Sequence, residues 1–143
     1  CAIPLMFPTI YIGGQPYLDG GCADAIHWRR AFREGCDRVV VVLTRERDYY
    51  KKPGRSDQVA ARAFKRYPNF QETMRTRSER YNACREALFG LERQGRALVI
   101  APKDTLGCSR TEKDLDTLRA LWQEGYFDGR RELDRIREFW TQE

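Results

Sequence analysis

The sequence predicts an α/β layer architecture with a mostly parallel sheet, a β-hairpin near the N-terminus and a helical C-terminus. Val39-Val40-Val41-Val42-Leu43 and Ala97 to Ala101 are β-prone runs without polar alternation, the pattern of strands covered on both faces. Between and after them apolar residues recur at helical spacing, and strands that alternate with helices imply parallel pairing. Two such strands and a hairpin are few for a freestanding domain, so further strands are expected upstream of this chain.

The elements follow in order. Thr9 to Ile12 and Gln15 to Leu18 are short β-prone runs around Gly13-Gly14, a pair suited to a two-residue hairpin turn. Ala25, Trp28, Ala31 and Phe32 then recur at helical spacing, with Asp24 as N-cap and Gly35 as the stop. After the strand at 38–43, residues 45–55 read as a loop and 58–66 as a helix before Pro68. The longest helix is expected from Phe70, with Met74, Tyr81, Cys84, Leu88 and Leu91 on one face and Gly95 ending it. Ser109-x-x-Glu112 and Thr111-x-x-Asp114 fit capping boxes that open a helix with Leu115, Leu118 and Trp122 inward. A last helix aligns Leu133, Ile136 and Trp140. The chain divides on this reading into a hairpin, sheet and helix part (1–107) and a helical tail (108–143).

With 41% hydrophobic and 33% charged residues over 143 positions, the composition is that of a folded domain rather than a disordered chain. No apolar run approaches the roughly 20 residues that span a bilayer. The expected location is cytoplasmic, with peripheral contact at a membrane. Cys1 opens the chain directly onto the apolar stretch Ala2 to Phe7, which is expected of a piece of a longer protein. The five cysteines include no Cys-x-x-Cys pair and are odd in number, so neither a zinc ribbon nor a complete disulfide framework is indicated and reduced, mostly buried thiols are expected. His27 is the single histidine; no metal or organic cofactor is expected.

The chemically informative segment is Tyr17-Leu18-Asp19-Gly20-Gly21, where a carboxylate leaves a strand end and glycines let the backbone turn sharply. Ligands in open α/β sheets collect outside the carboxyl ends of strands, so this location suits a catalytic acid or base. Asp19-Gly20-Gly21 is followed by a capped helix, by Asp37 to Arg45, and by Tyr50-Lys51-Lys52-Pro53. Further on come Tyr81-Asn82, Leu91-Glu92-x-x-Gly95 and Val99-Ile100-x-Pro102. This order resembles the bacterial patatin-like phospholipases over nearly the whole chain.

The resemblance implies the C-terminal part of a three-layer hydrolase fold and a Ser-Asp dyad, with Asp19 as the catalytic aspartate and Gly20 and Gly21 as its supporting turn. The substrate implied is a lipid or other carboxylic ester, and the nucleophile would sit in a Gly-x-Ser-x-Gly elbow. Ser56, Ser78 and Ser109 lack that frame, so the serine is expected in the N-terminal remainder of the same protein and the 143-residue chain alone is expected to be inactive. His27 stands where the family usually has a proline and reads as a surface residue. Asp24 reads as a cap. A haloacid-dehalogenase-like phosphatase is excluded, because Gly21 stands where its second aspartate belongs.

The net charge of +5 is uneven: residues 45–85 hold 12 Arg and Lys against 5 Asp and Glu. Arg45, Arg47, Lys51 and Lys52 are the candidate contacts to anionic lipid, each near-surface cation contributing about 1 kcal/mol. The competing class is a non-catalytic basic module that binds an anionic membrane surface or a protein partner. No nucleic-acid partner is expected, since Phe64 falls on a core face rather than a stacking platform and no binding motif is present.

Overall fold

A computed structural model describes residues 2–109 and 111–141; Cys1 lies outside them. The elements run β1 (Ile10–Ile12), β2 (Gln15–Tyr17), a 3-10 turn (Gly20–Cys22), α1 (Trp28–Arg33), β3 (Val39–Val42), α2 (Arg55–Ala63) and α3 (Pro68–Arg75). They continue through α4 (Arg77–Arg93), β4 (Ala97–Ile100), α5 (Leu115–Arg131) and α6 (Leu133–Thr141). The fold is mixed α/β with a helical C-terminus. It comprises two compact units, Cys1–His27 with Tyr50–Ala87 and Trp28–Tyr49 with Leu88–Glu143.

In the first unit β1 and β2 pair antiparallel, Ile10 opposite Tyr17 and Ile12 opposite Gln15. Gly13 and Gly14 take φ of 56° and 76°, the left-handed values a type I′ turn demands at both central positions. Cys22, Ala60, Ala61 and Met74 form the core, flanked by Phe70. The two alanines leave room for α2 and α3 to pack closely, and Phe64 meets Phe70 edge to face at 5.2 Å.

The long helix expected from Phe70 is two helices. Pro68 opens α3 at a position where its missing N–H costs nothing. The Thr76 hydroxyl donates to the Glu72 carbonyl at 2.9 Å, and α4 starts afresh at Arg77. The buried face of α4 is also more polar than its apolar spacing suggested: Ser78, Asn82 and Arg85 are buried alongside Cys84 and Leu88.

In the second unit β3 and β4 pair parallel, Val39 opposite Ala97 and Val42 opposite Ile100. Leu88 and Val99 are fully buried there. The mostly parallel three-layer sheet is not formed among the described residues, which hold one parallel and one antiparallel pair of strands. One edge of the parallel pair is closed by side chains at β4. Its Val99 N–H donates to Glu92 Oε1 at 3.0 Å and its Val99 carbonyl accepts from Arg47 Nη1 at 3.1 Å. Arg47 and Glu92 also pair with each other, so side chains occupy the bonding groups that a further strand on that edge would use.

Helix boundaries move in two places. α1 begins at Trp28 rather than after Asp24. The cap of α5 is Asp114, whose carboxylate accepts from the Thr117 N–H at 2.8 Å, instead of Ser109 or Thr111. The expected inward face of α5 is corrected outright: Leu115, Leu118 and Trp122 are exposed. On α6 the buried residue is Phe139, whose carbonyl accepts from Arg38 at 3.0 Å, while Leu133 and Trp140 are exposed. Helical periodicity identifies an apolar face but cannot say whether the chain itself covers it. Of the described cysteines, all free, Cys22 and Cys84 are buried, Cys108 is partly buried and Cys36 is exposed.

Candidate functional site

Asp19 follows β2 in extended backbone and caps the 3-10 turn: its Oδ1 accepts from the Gly21 N–H at 2.8 Å. Its own N–H donates to the Ala2 carbonyl at 2.9 Å, and its carbonyl accepts from the Cys22 N–H at 3.1 Å. The apolar start of the chain therefore anchors the strand end. A Cβ at position 21 would stand 2.9 Å from Asp19 Oδ1, whereas one at position 20 would meet nothing within 4 Å. A side chain at 21 would displace the carboxylate from its N–H, and Gly20 leaves the approach to the turn open.

Two arginines of α4 hold the far end of the same turn. Arg77 donates through Nε to the Gly21 carbonyl at 3.3 Å and through Nη1 to Asp57 Oδ1 at 2.9 Å. Arg80 donates to the Cys22 carbonyl at 3.0 Å, to the Ala23 carbonyl, and to the Thr73 carbonyl at 2.8 Å. Cations suit the exposed carbonyls at the end of a helical turn. Meanwhile the Cys22 side chain sits in the core. The turn is fixed at both ends, and the Asp19 carboxylate, partly buried, projects from it with Oδ1 engaged. Among the described residues no other hydrogen bond reaches that carboxylate, so Oδ2 is open to accept a proton or a donor.

His27 and Asp24 form an exposed pair at 3.2 Å just after this turn, where the Asp24 N–H donates to the Gly20 carbonyl at 2.9 Å. The candidate lipid contacts are divided between the two units: Arg45 and Arg47 belong to the second, Lys51 and Lys52 to the first. Arg45 lies over Tyr49 at 5.4 Å, and Arg47, besides its bonds to Glu92 and Val99, lies over Phe89 at 4.9 Å. Lys51 is held by its backbone, its N–H and carbonyl each bonding the Asn82 amide at 2.9 Å. Lys52 is exposed.

Sequence reasoning missed Arg77, Arg80 and Asp57, and took Asn82 only as part of Tyr81-Asn82 in the order that carries the resemblance, not as the partner of the Lys51 backbone. Arg77 and Arg80 entered only as part of the basic excess, although their i,i+3 spacing at the start of a helix puts both on one face. Nothing in the sequence pairs that face with residues 21 to 23.

The family profile that matches is that of a domain of unknown function, DUF6363, over residues 67–141, just over half of the chain. No curated protein matches. The resemblance to the patatin-like phospholipases is corrected by this finding: the matching family is a different one, and no patatin family matches. An Asp-Gly-Gly turn and buried valine runs recur wherever strands turn sharply and sheets are covered, so their order is a weaker signal than a profile over 67–141. Arg77 and Arg80 lie inside the matched residues, and Asp19 lies outside them.

Proposed function

Since the chain belongs to the DUF6363 family, a domain to which no activity is assigned, we propose from the site alone that it contributes the acid-base carboxylate of an ester hydrolase. Asp19 is the base, and the nucleophilic hydroxyl comes from a segment other than these residues. The observation that carries the reading is the clamped turn: Arg77 and Arg80 hold residues 21 to 23 while Asp19 Oδ1 is fixed by Gly21 and Oδ2 is left open. A carboxylate within hydrogen-bond reach of a serine can take its proton as the hydroxyl attacks an ester carbonyl, and return it to the leaving alcohol. Water then releases the acyl group by the same route. A larger parallel sheet belongs to this proposal, with further strands joining at the outer edge of β3, since the edge of β4 is occupied by Arg47 and Glu92.

Asp19→Asn in the protein carrying this chain tests the reading. Asparagine keeps the turn bond but cannot accept the proton, so kcat/KM on a soluble ester should fall about 100-fold to 10,000-fold. Thermal unfolding should be nearly unchanged. A folded variant with full turnover rejects Asp19 as base.

One observation favours a second reading, the basic module at an anionic membrane. Arg55, Arg62, Lys65 and Arg66, on α2 and the connection after it, are all exposed, and no ion pair engages them among the described residues. No helix among those residues is long and apolar enough to cross a membrane, so contact would be peripheral. Vesicles containing phosphatidylserine should then bind better than neutral ones, and salt should weaken the binding as the Debye length shrinks from about 10 Å at 0.1 M to about 3 Å at 1 M. Equal binding to both vesicles rejects this reading.

A further inference from the structure

α5 carries an apolar stripe that nothing in the second unit covers among the described residues. Leu115, Leu118, Trp122 and Tyr126 fall within about 80° of one another at 100° per residue. All are exposed, Leu115 by 65% and Trp122 by 68%. Trp122 and Tyr126 are already stacked, with centroids 5.7 Å apart and planes 19° from parallel. The stripe continues through Gly125 and Gly129, where a Cβ would meet nothing within 4 Å. Neither glycine has positive φ, so the backbone does not require them, and each costs the helix about 1 kcal/mol relative to alanine. One half of the stripe is therefore raised and the other hollow.

That shape is complementary to itself. When a second copy of the helix lies antiparallel, with Trp122 of one over Gly125 of the other, Leu118 falls over Gly129. Two-fold symmetry makes each contact twice. A parallel pair would instead set Trp122 against Trp122 and glycine against glycine. Arg130 rests on Tyr126, bonding its hydroxyl at 3.3 Å, and meets no carboxylate among the described residues. We infer that α5 is the interface of a symmetric, antiparallel pairing with a second copy of this chain.

The size is adequate, since the exposed apolar side chains of the stripe present on the order of 500 Å² per copy, and a pair would hide roughly the 1,000 Å² that a specific interface needs. Exposed Trp and Tyr with flanking Arg are also the residues that anchor protein interfaces. An anionic membrane fits less well, because residues 112–141 hold 8 acidic and 6 basic side chains.

Sedimentation of the purified protein tests this, with Gly125→Leu as the decisive variant. Leucine fills the hollow yet raises helix propensity in open space, so unfolding cannot mimic its effect. The wild type should form dimers, and Gly125→Leu should weaken them at least about tenfold, a change of ~1.4 kcal/mol. A wild type that stays monomeric at about 100 μM overturns the inference. So does a dimer that Gly125→Leu leaves intact, or a monomer whose stripe binds lipid vesicles instead.

Discussion

Asp57 and Arg77 form a shielded ion pair at 2.9 Å, with side chains only 11% and 18% exposed, and the same arginine reaches the Gly21 carbonyl. A carboxylate on α2 thereby fixes the guanidinium that steadies the turn carrying Asp19. Removing one member of a pair this well covered leaves a charge without its counterion, which costs far more than an exposed ion pair contributes. Asp57→Ala should lower unfolding free energy by about 3 kcal/mol. Because both residues belong to one network, the double variant Asp57→Ala, Arg77→Met should lose less than the sum of the single losses. Additive losses in denaturant titrations would show that the pair acts as two independent contacts.

Asn82 splints the backbone of Lys51 as a strand would, donating to its carbonyl and accepting from its N–H. Asn82→Ala should cost about 1–3 kcal/mol, since two backbone groups lose their partners beside a buried position. Asp at this position keeps the acceptor but sets an anion against the Lys51 carbonyl, so Asn82→Asp should rescue little. Chemical denaturation of the three proteins measures this, and wild-type stability of the aspartate variant would refute the two-bond account.

The two glycines after Asp19 should respond differently. Gly20→Ala enters open space, whereas a Cβ at position 21 would stand 2.9 Å from Asp19 Oδ1 and push the carboxylate off its N–H. Gly21→Ala should therefore leave the protein folded, with a stability loss of about 1 kcal/mol from the cap. On the proposed function it should also lose most ester turnover, while Gly20→Ala keeps it. Equal activity in the two variants would mean that the fixed position of the carboxylate does not matter.

Acid should loosen the second unit near Glu46. Hydrogen bonds from the Thr105 hydroxyl first, then from Glu46's own backbone N–H and that of Thr105, hold the Glu46 carboxyl below its ordinary value. The folded state consequently binds fewer protons than the unfolded chain. The stabilisation is complete above the unfolded value of about 4.3 and is lost as the pH falls through the lower, folded value. Thr105→Val removes the hydroxyl donor, so the difference in stability between it and the wild type should shrink on acidification. A difference that stays constant down to about pH 2 would exclude this linkage.

Local chemistry was legible without coordinates where neighbours in sequence settle it. Gly13-Gly14 dictated the hairpin because few other residues accept left-handed φ twice in succession. The valine run at 39–42 and the stretch 97–100 formed the parallel pair. Tertiary structure decided the rest. Arg77 and Arg80 look like solvated charge until α4 lies against the Asp19 turn, a contact between residues more than 50 positions apart. Arg47 and Glu92 close an edge of β4 only when a loop and a helix end meet there. That α5 has an apolar face was readable from residue spacing, which fixes which side chains share a side of a helix. Only the fold showed that face to be open, because covering it depends on distant surfaces that no local pattern encodes.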